Sequence, residues 1–388
     1  MPRLWNGMNR SPSKIRSAVS CNLDNQLLQA TLPLFVAEKI EAIEWSFDTL
    51  YKVRDIPDWF VELLHAFGNE GRLIGHGVYF SLFSGKWTSE QQRWLDHLRK
   101  VSSNFTFDHI TEHFGFMTGE DFHKGAPISV PYTTETLNLG IDRLQRIQEA
   151  CSCPVGLENL AFSYSLEEVE RHGEFLSRLI ETVNGFIILD LHNLYCQLRN
   201  FSLDFETLIQ AYPLDRVREI HISGGSWEAS GIQPERKIRR DTHDDAVPEA
   251  VFELLKQTLP LCRNLKFVVL EQLGVALQTP ESQQQFQVDF DRMQSIVTTF
   301  NAQNQLFPDN DFLPKELVSL KTNVPESLEL YQQQLELSSI LERSADYEEA
   351  TRLLSDSSLA YSAWQTENWS PYMLETALRI AQKWKQGW

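Results

Sequence analysis

The sequence predicts an α/β fold, on three observations. Short apolar runs rich in β-branched residues recur near 15–21, 40–46, 72–79, 105–110, 154–158, 186–190, 217–222 and 266–271. The segments between them carry helical spacing. Run after run closes on a carboxylate or an imidazole. Strand then helix, repeated eight times over roughly 290 residues, describes a (β/α)8 TIM barrel. A strand that ends in an ionisable residue carries that side chain to one mouth of such a barrel.

Taken in order, residues 1–14 are polar, with Pro and Ser, and are expected to form a loose leader. Strands one and two follow, and Glu44, Trp45 and Asp48 are expected to line the mouth. Trp59, Leu63, Ala66 and Phe67 mark a helix face. Strand three, in LIGHGVYFSL, brings His76, and FDHITEHFGF brings His113 beyond strand four. His109 precedes His113 by four residues. If the strand runs to 112 the two share a face with His109 deeper, so Asp108 and His109 are expected to support ligands from behind. Helical spacing returns at Leu137, Ile141, Leu144 and Ile147. Strand five, in CPVGLEN, ends at Glu158. After a helix marked by Phe175, Leu179 and Val183, FIILDLHN brings Asp190 and His192. VREIHISGG then brings His221, and the following loop, RDTHDDAVP, brings Asp241 and His243. A helix with Val251, Leu254 and Leu255 leads to FVVLEQL and Glu271. The barrel is expected over 15–303.

FPDNDFLP at 307–314 reads as a linker, because two prolines and three Asp/Asn residues break regular structure. Residues 315–388 are expected to be a helical extension. Met373, Ala377, Ile380, Ala381 and Trp384 form one face of an amphipathic helix. That face is expected to pack on the barrel, and the sharper alternative is a surface for a partner or a peptide. His65, His97, His123 and His172 fall in helical or loop segments and are read as surface residues.

Composition narrows the function. Hydrophobic residues make up 42% of the 388, enough for a substantial core. A net charge of −18 argues against a phosphate-backbone partner. The cluster Arg236, Lys237, Arg239 and Arg240 reads as a solvated loop, or as a grip for an acidic leader peptide. The five cysteines (Cys21, Cys151, Cys153, Cys196 and Cys262) are odd in number without CxxC spacing. Neither a disulfide framework nor a zinc knuckle is indicated. No apolar run approaches membrane-span length and no secretory signal is seen, so a cytoplasmic setting is expected.

The candidate metal ligands are His76, His113, Glu158, Asp190, His192, His221, Asp241, His243 and Glu271. Mixed imidazole and carboxylate donors suit iron, manganese or zinc, whereas carboxylates and carbonyls alone would suit magnesium or calcium. So many donors exceed what one ion needs, which points to two or three ions sharing carboxylates. Asn159 and Asn193, with Glu44, are candidate substrate contacts.

As an ordered set these segments resemble the motifs of the multinuclear non-haem iron-dependent oxidative enzymes, among the xylose-isomerase-like barrels. This family was long catalogued as a domain of unknown function and includes methanobactin-biosynthesis oxidases. HGVYFSL, TEHFGF, Leu157-Glu158-Asn159, Leu189 to Asn193, EIHISG, Asp241 to Pro248 and Glu271 carry the resemblance, over about residues 40–275. It implies two or three irons (Fe2+/Fe3+) held by His76, His113, Glu158, Asp190, His221, Asp241, His243 and Glu271. It also implies dioxygen as co-substrate and modification of a ribosomally made peptide, often at cysteine, commonly with a small partner protein presenting that peptide. The chain departs from the pattern in four places. His192 stands where the family often has Asn, 224–240 looks inserted, the glycine-rich start is not obvious near residue 20, and the chain after 307 exceeds the usual core. Two other readings compete. A zinc, manganese or magnesium sugar isomerase or endonuclease IV-like phosphodiesterase would need no oxygen. A non-catalytic scaffold would lack at least one ligand, and none is lacking.

Overall fold

The computed structural model describes residues 13–50, 56–118, 125–314, 320 and 322–386. The expected leader, apart from residues 13 and 14, lies outside these residues, as does His123. Eight strands close into a barrel in chain order. They are β1 (Arg16–Ser20), β2 (Ala42–Trp45), β3 (Leu73–Gly77), β4 (Ile110–His113), β5 (Val155–Glu158), β6 (Phe186–Asp190), β7 (Val217–Ile222) and β8 (Phe267–Leu270). All neighbours pair in parallel, and β8 closes on β1 with Arg16 opposite Phe267 and Val19 opposite Leu270.

Among the described residues nine α-helices accompany the barrel: α1 (Asn25–Val36), α2 (Asp58–Gly68), α3 (Ser89–Asn104), α4 (Thr134–Cys151), α5 (Leu166–Glu181), α6 (Leu191–Phe201), α7 (Phe205–Gln210), α8 (Glu249–Thr258) and α9 (Pro280–Gln303). Capping fixes several starts. Thr88 and Gln91 form a reciprocal capping box on α3, and Thr133 with Thr136 does the same for α4.

Alternation along each strand sorts side chains between two compartments. Ile43, Trp45 and Leu73 join the large core between strands and helices. Ala18, Ala42, Ile74, Phe267 and Val269 form a small separate cluster, in phase with Glu44, His76 and Glu271 further along their strands. The barrel interior is therefore ionisable towards the C-terminal mouth and largely apolar below, where His109 packs on Phe186 and Phe267. At Gly156 a Cβ would lie 2.5 Å from the Phe186 ring, so the glycine leaves room for that ring.

Strand four is displaced from the expected 105–110. Phe105 ends α3, its N–H donating to Val101 O at 2.9 Å, and Phe105 and Phe107 pack against the Trp45 ring. The apolar run is thus a packed link, and the strand begins at Ile110. On α2 the buried face is Phe60, Leu64 and Phe67, while Trp59 is 50% exposed. The expected face is out of phase because Phe60 is the residue enclosed in the core. His172, expected at the surface, is buried; its Nε2 accepts from Leu160 N–H at 3.2 Å, and burial holds its pKa down to about 3.

Beyond the barrel come α10 (Leu328–Arg343), α11 (Tyr347–Ser355) and α12 (Pro371–Gln386). Leu374, Ala377, Leu378 and Ala381 of α12 are buried, as are Leu337 and Leu341 of α10. The stretch that looks inserted forms a hairpin pairing Trp227–Ala229 with Lys237–Arg239, and α12 is tied to it. Glu375 accepts from Ser230 Oγ at 2.7 Å and from Gly231 N–H at 2.8 Å, and Arg379 pairs with Glu228 at 2.7 Å. Tyr372 donates to Asn200 O in α6 at 3.1 Å. Among the described residues no helix is long and apolar enough to cross a membrane.

Candidate metal centre

Strands three to eight each bring a donor to the C-terminal mouth. His76 lies in β3, His113 ends β4, Glu158 ends β5, Asp190 ends β6, His221 lies in β7 and Glu271 follows β8. Asp241 and His243 come from the loop after the hairpin. Three groups within this set have ligand atoms close enough to share an ion: His76, His113 and Glu158; Glu158, Asp190, His221 and Glu271; and Glu44, Glu219 and His221.

Glu158 belongs to two of these groups, and its two oxygens divide between them. Oε2 lies 3.2 Å from His113 Nε2 and 3.6 Å from His76 Nε2, whereas Oε1 lies 3.4 Å from His221 Nδ1. His76 Nδ1 is 2.8 Å from the Thr111 hydroxyl, which fixes the ring with Nε2 toward His113, 3.0 Å away. Asp190 caps α6 with Oδ1, which accepts from Asn193 N–H at 2.5 Å, and Oδ2 is buried without a partner. His221 Nδ1 is 3.3 Å from Glu271 Oε2. Asp241 and His243 form a close pair at 3.0 Å, with His243 Nδ1 3.7 Å from Glu271.

The electrostatics are those of crowded buried ions. Burial raises Glu158, yet the close approach and charge of His113 and His221 hold it well below the usual carboxylate range. Asp190 is pushed well up by burial and by Asp241 and Glu158. Burial and the charge of His113 lower His76 to about 4. His221 is driven the other way: burial opposes its charge, but Glu44, Glu158, Glu219 and Glu271 raise it well above the ordinary value. Both ring nitrogens of His221, both oxygens of Glu44, and Glu219 Oε1 are buried without hydrogen-bond partners. Burying charged groups costs several kcal/mol each, and a bound cation would offset part of that cost for the carboxylates.

His192 stands apart from the three groups. Its Nδ1–H donates to Asp241 Oδ1 at 3.0 Å, and its Nε2 accepts from Arg239 Nε at 3.1 Å. Gly225 permits this packing, since a Cβ there would meet Arg240 O at 2.2 Å and the His192 ring at 2.9 Å. Asn159 and Asn193 line the cavity but also tie strands together. The Asn159 side chain accepts from Asp190 N–H at 2.7 Å and donates to Asp190 O at 3.1 Å, and Asn193 donates to Asn159 O at 2.8 Å.

Three expectations are corrected. Trp45 faces the helices, and Asp48 accepts from the Val78 and Tyr79 N–H groups and from Trp94 Nε1, each at 2.9 Å; neither lines the cavity. Glu44 lies below the cavity, with Oε2 3.0 Å from His221 Nε2. Of the basic cluster, expected as a solvated loop, only Lys237 is exposed. Arg239 is buried over Tyr195 and Trp227, Arg236 stacks on Tyr372, and Arg240 pairs with Glu228.

Glu219 is absent from the residues that the sequence pattern singles out, although it lies two residues before His221 and hence on the same strand face. Glu219 accepts from His109 at 2.7 Å; His109 contacts Asp108 at 2.9 Å, and Asp108 pairs with Arg218 at 2.7 Å and with Lys266. Asp108 and His109 thus sit beneath the mouth and reach it through Glu219, which is 3.5 Å from His221.

Above the donors opens a cavity of about 470 Å³. Its lining includes His113, Glu158, Asp241, His243 and Glu271, together with Met373, Ile380 and Trp384 of α12.

A closed parallel barrel with buried imidazoles and carboxylates gathered at its C-terminal mouth defines a TIM-barrel enzyme scaffold with candidate metal sites. The chain belongs to the RiPP precursor modification enzyme MbnB/TglH/ChrH family, whose model matches residues 55–283. RiPP denotes a ribosomally made, post-translationally modified peptide. A UPF0276 protein of Anaeromyxobacter sp. (strain Fw109-5) is 31% identical over 190 residues, covering 48% of this chain and 63% of that protein. One of Acaryochloris marina is 27% identical over 187 residues, covering 47% and 64%. The chain thus matches under two thirds of the length of these relatives. Among solved structures, an L-ribulose 3-epimerase aligns with a TM-score of 0.49 at 12% identity, over 74% of this chain and 96% of that one. An endonuclease IV from Thermus thermophilus aligns with a TM-score of 0.44 at 14% identity, over 72% and 99%.

Proposed function

We propose that the protein is a multinuclear non-haem iron oxidase that uses dioxygen to modify a precursor peptide, at cysteine, in the making of a ribosomal natural product. The division of the Glu158 oxygens between two histidine sets carries this reading, since a carboxylate so placed can bridge two ions. The donor set fits iron: imidazoles and carboxylates predominate, thiolates are absent from the groups, and several donor atoms are buried without partners.

His76, His113 and Glu158 would hold one ion, and Glu158, Asp190, His221 and Glu271 a second. Asp241 and His243 stand ready for a third beside Glu271. Iron, when bound, supplies the one-electron chemistry that lets dioxygen act as oxidant. The protein's own part is to fix the donors, exclude water and admit the peptide. Thr111 orients His76, Asn193 N–H orients Asp190, and His192 orients Asp241. The family name supports a peptide substrate. A cysteine thiolate is the soft donor that the protein groups lack, and a small partner protein would present the peptide in a cytoplasmic setting.

The test is elemental analysis and Mössbauer spectroscopy on protein purified without oxygen. Two or more coupled irons per chain, with oxygen uptake on adding a cysteine-containing precursor peptide, are expected. Zinc or manganese alone after anaerobic iron loading would overturn the iron assignment.

A further inference from the structure

We infer that α12 is the substrate-selecting wall of the cavity, and that it takes a peptide whose reacting residue is flanked by apolar side chains. This rests on the peptide-modification reading and adds which peptides enter.

The helix lies beyond the span that the family model matches, yet it builds part of the cavity that holds the metal donors. Two faces of α12 have different tasks. Leu374, Ala377, Leu378 and Ala381 are buried in the core. Met373, Thr376, Ile380, Lys383 and Trp384 line the cavity, and all of these but Lys383 fall at the i, i+3, i+7 and i+11 spacing of a single helix face. Ile380 and Trp384 are only partly buried. Leu160, Phe162 and Val275 add apolar lining, and Phe162 packs against the cluster of Met373, Tyr372 and Ile238. The hydroxyl of Thr376 donates to Tyr372 O at 2.8 Å within the helix, so its proton is not offered to a polar substrate.

The wall is held in place. Glu375 and Arg379 fasten it to the hairpin, and the hairpin's Arg239 bonds His192, which bonds Asp241. The apolar wall and a metal donor are therefore fixed relative to each other through one chain of contacts. A preorganised apolar wall beside the reacting position favours apolar flanks, because side chains leaving water there need no ordering of the site.

The test uses the full chain and two fluorescein-labelled heptapeptides of equal charge, Gly-Ser-Leu-Cys-Leu-Ser-Gly and Gly-Ser-Asn-Cys-Asn-Ser-Gly. Binding is read by anisotropy without oxygen, on protein as purified and after metal loading. The leucine peptide is expected to bind about tenfold tighter or better, the ratio that burying one or two apolar side chains gives. Ile380→Asn and Trp384→Ala should each remove most of that preference while metal content stays the same, and Ile380→Met should retain it. Circular dichroism establishes that each variant is folded. Equal affinity for the two peptides, an unchanged preference in both Ile380→Asn and Trp384→Ala, or no binding of either peptide to the metal-loaded protein would overturn the inference. Failure to find iron would sink the oxidase reading and leave this preference still readable.

Discussion

Arg239 Nε donates to His192 Nε2 at 3.1 Å, and this one contact separates His192 from the other histidines at the mouth. With Nδ1 turned to Asp241, both ring nitrogens are occupied, so the imidazole holds a candidate ligand rather than facing an ion. Asparagine at 192 can still reach Asp241 with its amide. His192→Asn should therefore keep the full metal complement, measured by elemental analysis after anaerobic loading. His192→Ala leaves the Arg239 donor buried and unpaired, and should lower unfolding free energy by about 1–3 kcal/mol in denaturant titration. Loss of an ion equivalent in His192→Asn would return His192 to the ligand set.

Glu158 makes a second, sharper prediction. A carboxylate shared by two ions should not be replaceable one ion at a time. Glu158→Ala is expected to abolish binding at both positions, whereas His113→Ala should cost one ion and leave the group at Asp190, His221 and Glu271 filled. Metal-to-protein ratios after gel filtration decide it. Equal losses in the two variants would mean that Glu158 serves a single ion.

A third prediction concerns acid stability. His172 is buried and its pKa is held at about 3, against 6.5 ordinarily. Below pH 6.5 the unfolded chain takes up a proton that the folded chain refuses, so stability falls as pH drops from 6.5 towards 3. The steepest contribution is about 1.4 kcal/mol per pH unit. Glu168, raised to about 7 by burial, acts with the opposite sign: its contribution is present below pH 4.5 and is lost as pH rises through 7. Comparison with His172→Gln isolates the histidine, since glutamine can still accept from Leu160 N–H. The wild-type melting temperature should fall more steeply than the variant's between about pH 6.5 and 4; parallel curves would refute the assignment.

The barrel is legible in the sequence because its strands obey two patterns together, apolar runs at regular intervals and a terminal ionisable residue. Those patterns locate His76, Glu158, Asp190, His221 and Glu271 without any tertiary information. What they leave hidden has physical causes. Strand four is misplaced because Phe105 and Phe107 are as apolar as strand residues but pack outside the barrel. Glu219 escapes notice because a buried glutamate in mid-strand looks like an exception, although alternation puts it beside His221. The closeness of α12 to Asp241 has no local signature. It depends on Glu375 and Arg379 meeting the hairpin more than a hundred residues away in sequence.

The deepest group makes the last prediction. Glu44 Oε2 lies 3.0 Å from His221 Nε2, while His221 Nδ1 faces Glu158 and Glu271. Two arrangements follow from this geometry and differ in what they measure. If Nε2 carries a proton donated to Glu44, the carboxylate holds the imidazole with Nδ1 toward the ion between Glu158 and Glu271. Removing such a support typically weakens metal binding about 10–100-fold. Glu44→Ala should then lower cobalt(II) or iron(II) affinity by that factor with an unchanged number of ions at saturation. Glu44→Gln, whose amide oxygen still accepts from Nε2–H, should keep most of the affinity. If instead Glu44, Glu219 and His221 bind an ion of their own, both variants would lose one equivalent at saturation. We expect the first outcome: Glu219 Oε2 is already occupied by His109 at 2.7 Å, so beside the Glu44 oxygens and His221 Nε2 the deep group has a single unpartnered Glu219 oxygen.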